Sequence, residues 1–593
     1  MSDRLADMRH IRFLLYEIFD VESLTQYEHF ADHSKETFEM ALETGYKLAR
    51  EVFWPAYQPF DREGIHFKDG HVTTPAGMKE IWKQCKEGGW FAPGADYDYG
   101  GQQFPHLLTA TTSYLFNCAN TSAYMYVGSA AGAALLIEKY GTDEQKAEYL
   151  EKLYSGTWGG TMCLTEPQAG SSLGDITTTA VPENGHFKIR GVKRFISSGD
   201  HDLAENIVHP VLAKLPGAPP GVKGISLFLV PKYRLDGTYN DVATAGVEHK
   251  LGLRAQATAT LNFGEKDDCH GWLLGAENRG LECMFALMNG ARIHTGIQAV
   301  AGASAAYQCA LQYTQERLQG RSVSSKDPSA EQAAIIKHPD VRRMLLHQKA
   351  FVEGNLSLLL FTAKLSDIRH ASTDEAEQQR AHLLLEILTP IAKAHCSDGA
   401  FESIRLALQC YGGAGFCEEF PVAQMLRDNK VYSIYEGTNG IQAMDLLGRK
   451  VPMNGGEALR ALIQEISETI DAARKLEPLK EMAQSVEDIQ NTVAEVTMHL
   501  GAIGMSGDRE MYICNASDYL DMFSAMVIGW QHLQMATAAQ KALDAGSDDK
   551  DFYTGVVKTA SYYCRRSIPK ALAIATILKS NERTALDYEE AWF

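Results

Sequence analysis

Between about residue 161 and residue 275 the hydrophobic pattern changes its period, and no other feature restricts the fold of this chain as strongly. Short β-type runs fill that stretch: HFKIRGVKRFI (186–196), NIVHPVLA (206–213), GISLFLVP (224–231) and TATLNF (258–263), with Gly, Pro and Asp between them. Runs so punctuated predict a small antiparallel sheet domain, a barrel or a sandwich. Helical patterns stand on both sides. Up to about residue 160 the chain reads as helical; at 142–152 Thr142 is placed to cap a helix and Gln145 to close a capping box. WFAPGADYDYGGQQFP (90–105) breaks that pattern and reads as an ordered loop. Beyond 276, helices are predicted near 280–319, 331–370, 376–411 and 438–450. VPMNGG (451–456) reads as a linker, after which Leu459, Leu462, Ile463, Ile466 and Ile470 open a further all-helical tail.

At 593 residues the chain is too long for one core, so two to four packed domains are expected. A net charge of −19 argues against nucleic acid or an anionic membrane as the main partner. Eleven cysteines without a CxxC pair read as reduced thiols in an intracellular compartment. The N-terminal stretch resembles neither a signal nor a transit peptide, and runs such as Leu358 to Ala363 are far too short for an integral membrane segment. No GxGxxG after a strand, GxxxxGK[ST] or HExxH occurs, and no His/Cys cluster has metal-ligand spacing, so no metal is expected. Gly170-Ser171-Ser172-Leu173-Gly174 matches the GxSxG nucleophile elbow by letter, but a β-rich segment follows where that elbow needs a helix.

Two segments are harder to read as scaffold. MCLTEPQAGSSLGDITTTA (162–180) crowds hydroxyls and glycines at the entry to the sheet; it is either a solvated connection or a loop offering N–H groups and hydroxyls to a planar heterocycle. In 409–442, Gly412 and Gly413 allow close approach of a ligand to the backbone. Further on, Glu436 stands between Tyr435 and Gly437 with Ile434 and Ile441 nearby. A carboxylate in such company is desolvated, its pKa raised, and suited to act as a general base; the alternative is a surface Glu in a turn.

TEPQAGSS, KRFISSG and YGGAGFCEEFPVAQMLRDNKVYSIYEGTNGIQ, in that order, resemble the flavin loop, the flavin-side strand and the long signature of the acyl-CoA dehydrogenase family over roughly residues 35–450. The tail and the opening RHIRFLLYEIF further resemble its larger bacterial subgroup, which includes an enzyme acting on 3-methylmercaptopropionyl-CoA. The resemblance implies an α+β multidomain fold. Its parts are an N-terminal helical extension (1–35), a helical N-terminal domain (36–160), a central antiparallel β-barrel-like domain (161–275), a C-terminal four-helix domain (276–450) and an extra helical domain (451–593).

It implies FAD as cofactor, faced by Met162, Leu164, Thr165, Gly170 and Ser171, with Phe195 and Ser197 at its reactive edge and Thr438 touching it. Arg317, Gln409, Gly412 and Gly413 reach the pyrophosphate and adenine half, in the family pattern from a neighbouring subunit. Asn289 and Arg292, with Ser171, Tyr435 and Gly437, line the acyl-CoA site. Glu436 is the implied base; the position some relatives use instead is Ala291 here, which cannot take a proton. Phe195 replaces the usual Trp, Ser172 an Asp and Gly440 a common Gln, and RLQGR after Arg317 lacks the family spacing. The implied reaction is α,β-dehydrogenation of a fatty acyl-CoA or 3-methylmercaptopropionyl-CoA. Electrons pass to electron-transfer flavoprotein, in a cytoplasmic bacterial homo-oligomer, dimer or tetramer. An acyl-CoA oxidase using O2, or a flavin-bearing protective protein without catalysis, are the alternatives.

Overall fold

A computed structural model describes residues 5–593 apart from 323, 325, 326 and 328, with the backbone but not the side chains of 285–288. Ten strands occur among the described residues. β1 (His66–Lys68) and β2 (His71–Thr73) form a hairpin by themselves. The others are β3 (Trp158–Gly160), β4 (Thr179–Glu183), β5 (His186–Ser197), β6 (Asn206–Lys214), β7 (Ile225–Pro231), β8 (Val242–Val247), β9 (Thr258–Phe263) and β10 (His270–Leu273). The chain divides into a helical unit (residues up to Glu39, Pro105–Tyr114 and Arg292–Phe593) and a sheet unit (Met40–Phe104 and Leu115–Ala291).

In the sheet unit β3 to β10 make one sheet in the order β10-β7-β6-β4-β5-β9-β8, with β3 beside β6. A further β10–β5 pairing closes β10, β7, β6, β4 and β5 into a barrel-like ring. The expected antiparallel pairing needs one correction: β3 and β4 meet β6 in parallel. Both faces of the central strands are covered, which explains why β7 reads as a nearly continuous apolar run and β6 as one interrupted by His209. Leu212, Leu227 and Leu229 pack against Leu150 and Leu153 of the Asp143–Tyr154 helix, while Val211, Phe228 and Val230 face Ile189 and Leu261 inside the ring. That helix starts where its capping box predicts, with Thr142 Oγ1 accepting from Gln145 N at 3.2 Å.

The reading of residues 1–160 as helical is corrected by the β1–β2 hairpin, whose strands are too short to show a period. The long His106–Tyr140 helix is also broken at Asn120 (φ −164°, ψ 88°), whose Oδ1 accepts from Ala123 N at 3.2 Å and restarts the helix. The helix expected from 331 starts only at Pro339, because proline fits the first helical position.

The helical unit is built on Pro339–Ala371 and Glu375–Tyr411, which pack along their length, beside the Gly280–Glu316 helix from Arg292 onward. The tail supplies Glu457–Arg474, Lys480–Met505, Ala516–Asp544, Lys550–Arg566 and Ile568–Lys579. Ala516–Asp544 lies against Pro339–Ala371: Ser357 Oγ donates to Gln531 Oε1 at 2.6 Å, and Phe361 meets Trp530 edge-on with centroids 5.3 Å apart. The N-terminal segment docks there as well. Phe13, Leu14 and Leu15 are buried, the Arg9 guanidinium lies 4.0 Å from the Phe552 ring, and Tyr553 donates to Glu17 at 2.7 Å. No described helix is long and apolar enough to cross a membrane.

Candidate functional site

Two constellations stand out, one in each unit. In the helical unit the chain leaves the Pro421–Asn429 helix by a tight turn and enters the short Asn439–Asp445 helix through Glu436 and Gly437. Both adopt positive φ, 56° at Glu436 and 83° at Gly437. For a glutamate that conformation is strained, and strain of this kind persists only where the surroundings hold it. They do. Tyr435 donates to Gln298 at 2.7 Å, and Thr438 caps the following helix. Asn439 receives Lys393 Nζ at 2.8 Å and donates to Ser397 Oγ at 3.0 Å. Gly437 suits this position because its φ of 83° is strained for any residue with a side chain, and an added Cβ would also push on Gln442 Nε2, 2.6 Å away.

Glu436 is half-buried by its own surface but set deep among neighbouring atoms. Burial raises its pKa, against the opposing pull of Arg292 and Lys393. Arg292 is 5% exposed and paired with Asp445 at 3.5 Å, which Arg449 also holds. Lys393 is fully buried; burial lowers its pKa to about 8, Asp398 and Glu436 opposing. The result is a carboxyl of raised proton affinity with two dry cations near it, and among the described residues its own N–H has no acceptor.

Of the other expected residues, Tyr435, Gly437, Thr438 and Arg292 gather around this turn. Arg317, Gln409, Gly412 and Gly413 do not: all four are exposed at the far ends of their helices, Gln409 about 24 Å along the helix from Lys393. Beneath them Tyr313 stacks on Tyr411 at 4.2 Å. Asn289, half-buried, belongs to the sheet unit.

In the sheet unit the loop 162–178 is pinned to β5 by a residue pair that the sequence reading passed over. Glu166 and Lys193, both buried, are 2.9 Å apart. Glu166 also accepts from the N–H and hydroxyl of Thr177 and of Thr178, while Lys193 reaches Leu164 O at 3.0 Å. Burial alone would raise the Glu166 pKa; Lys193 and these donors bring it down to about 2. Met162, Leu164 and Thr165 are thereby held half-buried, with Gly170 and Ser171 exposed beyond them. On β5 a register shift between Lys193 and Ile196 turns Phe195 outward at φ 59°, leaving it 56% exposed, and Ser197 is half-buried two residues on. No described group of three or more His, Cys, Asp or Glu is placed to hold a metal.

No motif marks Lys393, although a single charge inside LTPIAKAHC (388–396) is the kind of signal that points to such a residue.

Comparison with known proteins matches four family descriptions in chain order. They are "Acyl-CoA dehydrogenase, N-terminal domain" (35–157), "middle domain" (161–265) and "C-terminal domain" (278–451), then "Acetyl-CoA dehydrogenase C-terminal like" (462–589). A butyryl-CoA dehydrogenase of Syntrophomonas wolfei is 35% identical over 99% of both chains. The 3-methylmercaptopropionyl-CoA dehydrogenase of Ruegeria pomeroyi is 36% identical over 96% of both. An acyl-CoA dehydrogenase from Bacillus anthracis, solved with FAD, superposes with a TM-score of 0.75 at 22% identity, covering 97% of this chain and 93% of its own.

Proposed function

The chain belongs to the acyl-CoA dehydrogenase family, and from that premise we propose that it binds FAD and oxidises a saturated acyl-CoA to the trans-2-enoyl-CoA, Glu436 removing the α-proton. One observation carries the assignment of the base: Glu436 is held in a strained turn, its proton affinity raised by burial, with its N–H free of any described acceptor. The α-proton of a thioester is weakly acidic, so negative charge building on the carbonyl oxygen must be met by a donor. The Glu436 N–H is available for this, and one preorganised donor of that kind is worth roughly 3–4 kcal/mol.

The sheet unit suits a flat heterocycle, with an aromatic face at Phe195 and, pinned to the same strand by Glu166 and Lys193, a loop of backbone amides and hydroxyls. Bound there, FAD supplies the acceptor for the hydride leaving the β-carbon. The exposed Arg317, Gln409, Gly412 and Gly413 fit the family pattern in which these positions serve the cofactor of a second copy, hence a homo-oligomer. Electron-transfer flavoprotein is the expected electron acceptor. Relatives named for butyryl-CoA and for 3-methylmercaptopropionyl-CoA support a short straight acyl group or a thioether of similar length as substrate.

The test is anaerobic titration of the yellow protein with butyryl-CoA and 3-methylmercaptopropionyl-CoA. Bleaching of the flavin band is expected. Glu436→Gln should keep its FAD and reduce it at least about 10²–10⁴-fold more slowly. Bleaching of that variant at the parent rate removes Glu436 from the role.

A further inference from the structure

Lys393 stands in the middle of a helix, fully buried, with its ammonium bonded to a neutral amide, Asn439 Oδ1, at 2.8 Å. Among the described residues no carboxylate comes within 4.0 Å of it to form an ion pair. A buried cation without a direct partner is costly, and such an arrangement persists where something nearby draws on the charge. The negative groups acting on it are Asp398, exposed one turn along the same helix, and Glu436, three residues before the amide that Lys393 holds.

We propose that Lys393 is a positioning residue for the dehydrogenation: through Asn439 it fixes the turn that carries Glu436, and its buried ammonium supplies positive charge that keeps the half-buried Glu436 carboxylate ionised. This rests on Glu436 being the base. Every link is local to the helical unit. Asn439 is the first residue of the helix after Glu436, and Lys393, Ala394 and Ser397 of the 375–411 helix clasp it: Asn439 Nδ2 donates to Ala394 O at 3.3 Å and to Ser397 Oγ at 3.0 Å.

Lys393 does not act alone on Glu436. Arg292 exerts the larger pull towards ionised Glu436 and is itself paired with Asp445, which Arg449 also holds. Glu386 is taken by Lys450. Lys393 is the cation near Glu436 whose hydrogen bond goes to a neutral acceptor, and its pull on the carboxylate adds to the larger one of Arg292. The coupling is reciprocal: when Glu436 takes a proton, Lys393 loses one of the two anions that stabilise it, which favours return of the proton to solvent after turnover.

Two variants remove the charge of Lys393 in different ways. Lys393→Gln keeps a donor towards Asn439 and removes the charge; Asn439→Asp leaves the lysine and cancels its field with a neighbouring carboxylate. In both, the acid limb of the kcat/KM profile for flavin reduction should move to higher pH, by about one unit. Retention of FAD absorbance and of the parent unfolding temperature checks each fold. Infrared titration of the protonated carboxyl band missing from Glu436→Gln reads the same shift without turnover. A protein that oxidises no acyl-CoA therefore refutes the enzymatic reading, while the infrared shift still decides the role of Lys393. An unmoved limb and band in both variants, or slower reduction with the limb in place, overturns the proposal and leaves Lys393 a structural residue.

Discussion

Glu166 carries the clearest prediction at the scale of single residues. Its carboxylate gathers the Thr177 and Thr178 donors and the Lys193 ammonium in a site with almost no solvent. Glu166→Gln leaves that ammonium buried without its charge partner, a change that costs about 3–5 kcal/mol. The denaturation midpoint should fall and FAD release should accelerate; adding Lys193→Met should recover much of the loss, because an apolar replacement needs no partner. No recovery in the double variant would show that Lys193 acts independently of Glu166. The pairing was not legible in the sequence, since 27 positions separate the two and neither run of neighbours names the other. Glu436 differs. Its apolar neighbours predict a raised pKa, and burial does raise it. The opposing cations, Arg292 and Lys393, come from two distant helices and could not be read locally.

Among elements, β6 shows what a sheet covered on both faces demands. Its mostly apolar run, broken by His209, was readable as a strand, as were β5, β7 and β9; β4, with Pro182 inside, and β8, with its small residues, carry too little pattern to be found. The same enclosure buries two histidines in the neutral form. Burial lowers His201 to about 4 and His209 to about 3, the latter with Thr161 Oγ1 at 2.8 Å from Nδ1. As pH falls below 6.5 the unfolded chain binds protons that the folded sheet refuses, so stability declines, by about 1.4 kcal/mol per pH unit for each histidine until the folded values are reached. Glu166 adds to the decline below pH 4.5, where its unfolded form takes up a proton that the native form accepts only near 2. Urea unfolding followed by intrinsic tryptophan fluorescence should show the midpoint dropping between pH 7 and 5. A flat midpoint over that interval contradicts neutral burial of the histidines.

At the scale of the molecule, the tail and the N-terminal segment belong to the same body as the base. The stripe from Leu459 to Ile470 marks the first tail helix in the sequence, but the partners of the tail lie 61 and 182 positions away: Thr469 receives Trp530 Nε1 at 2.8 Å, and His532 lies 2.9 Å from Ala350 O. Ending the chain after residue 456 would uncover the face of the 339–371 helix around Ala350, Ser357 and Phe361. Such a truncated protein is expected to sediment as aggregate; a monodisperse, FAD-bound product would mean that the tail is dispensable for this core. The clasp between Arg9 and Phe552 also sets a timetable. At ordinary rates of translation Arg9 leaves the ribosome about half a minute to two minutes before Phe552 is made. During that interval Phe13, Leu14 and Leu15 have no finished surface to join, while the sheet unit, complete at Ala291, can already close. Nascent chains of this protein should therefore depend on a holding chaperone for their first twenty residues rather than for their barrel.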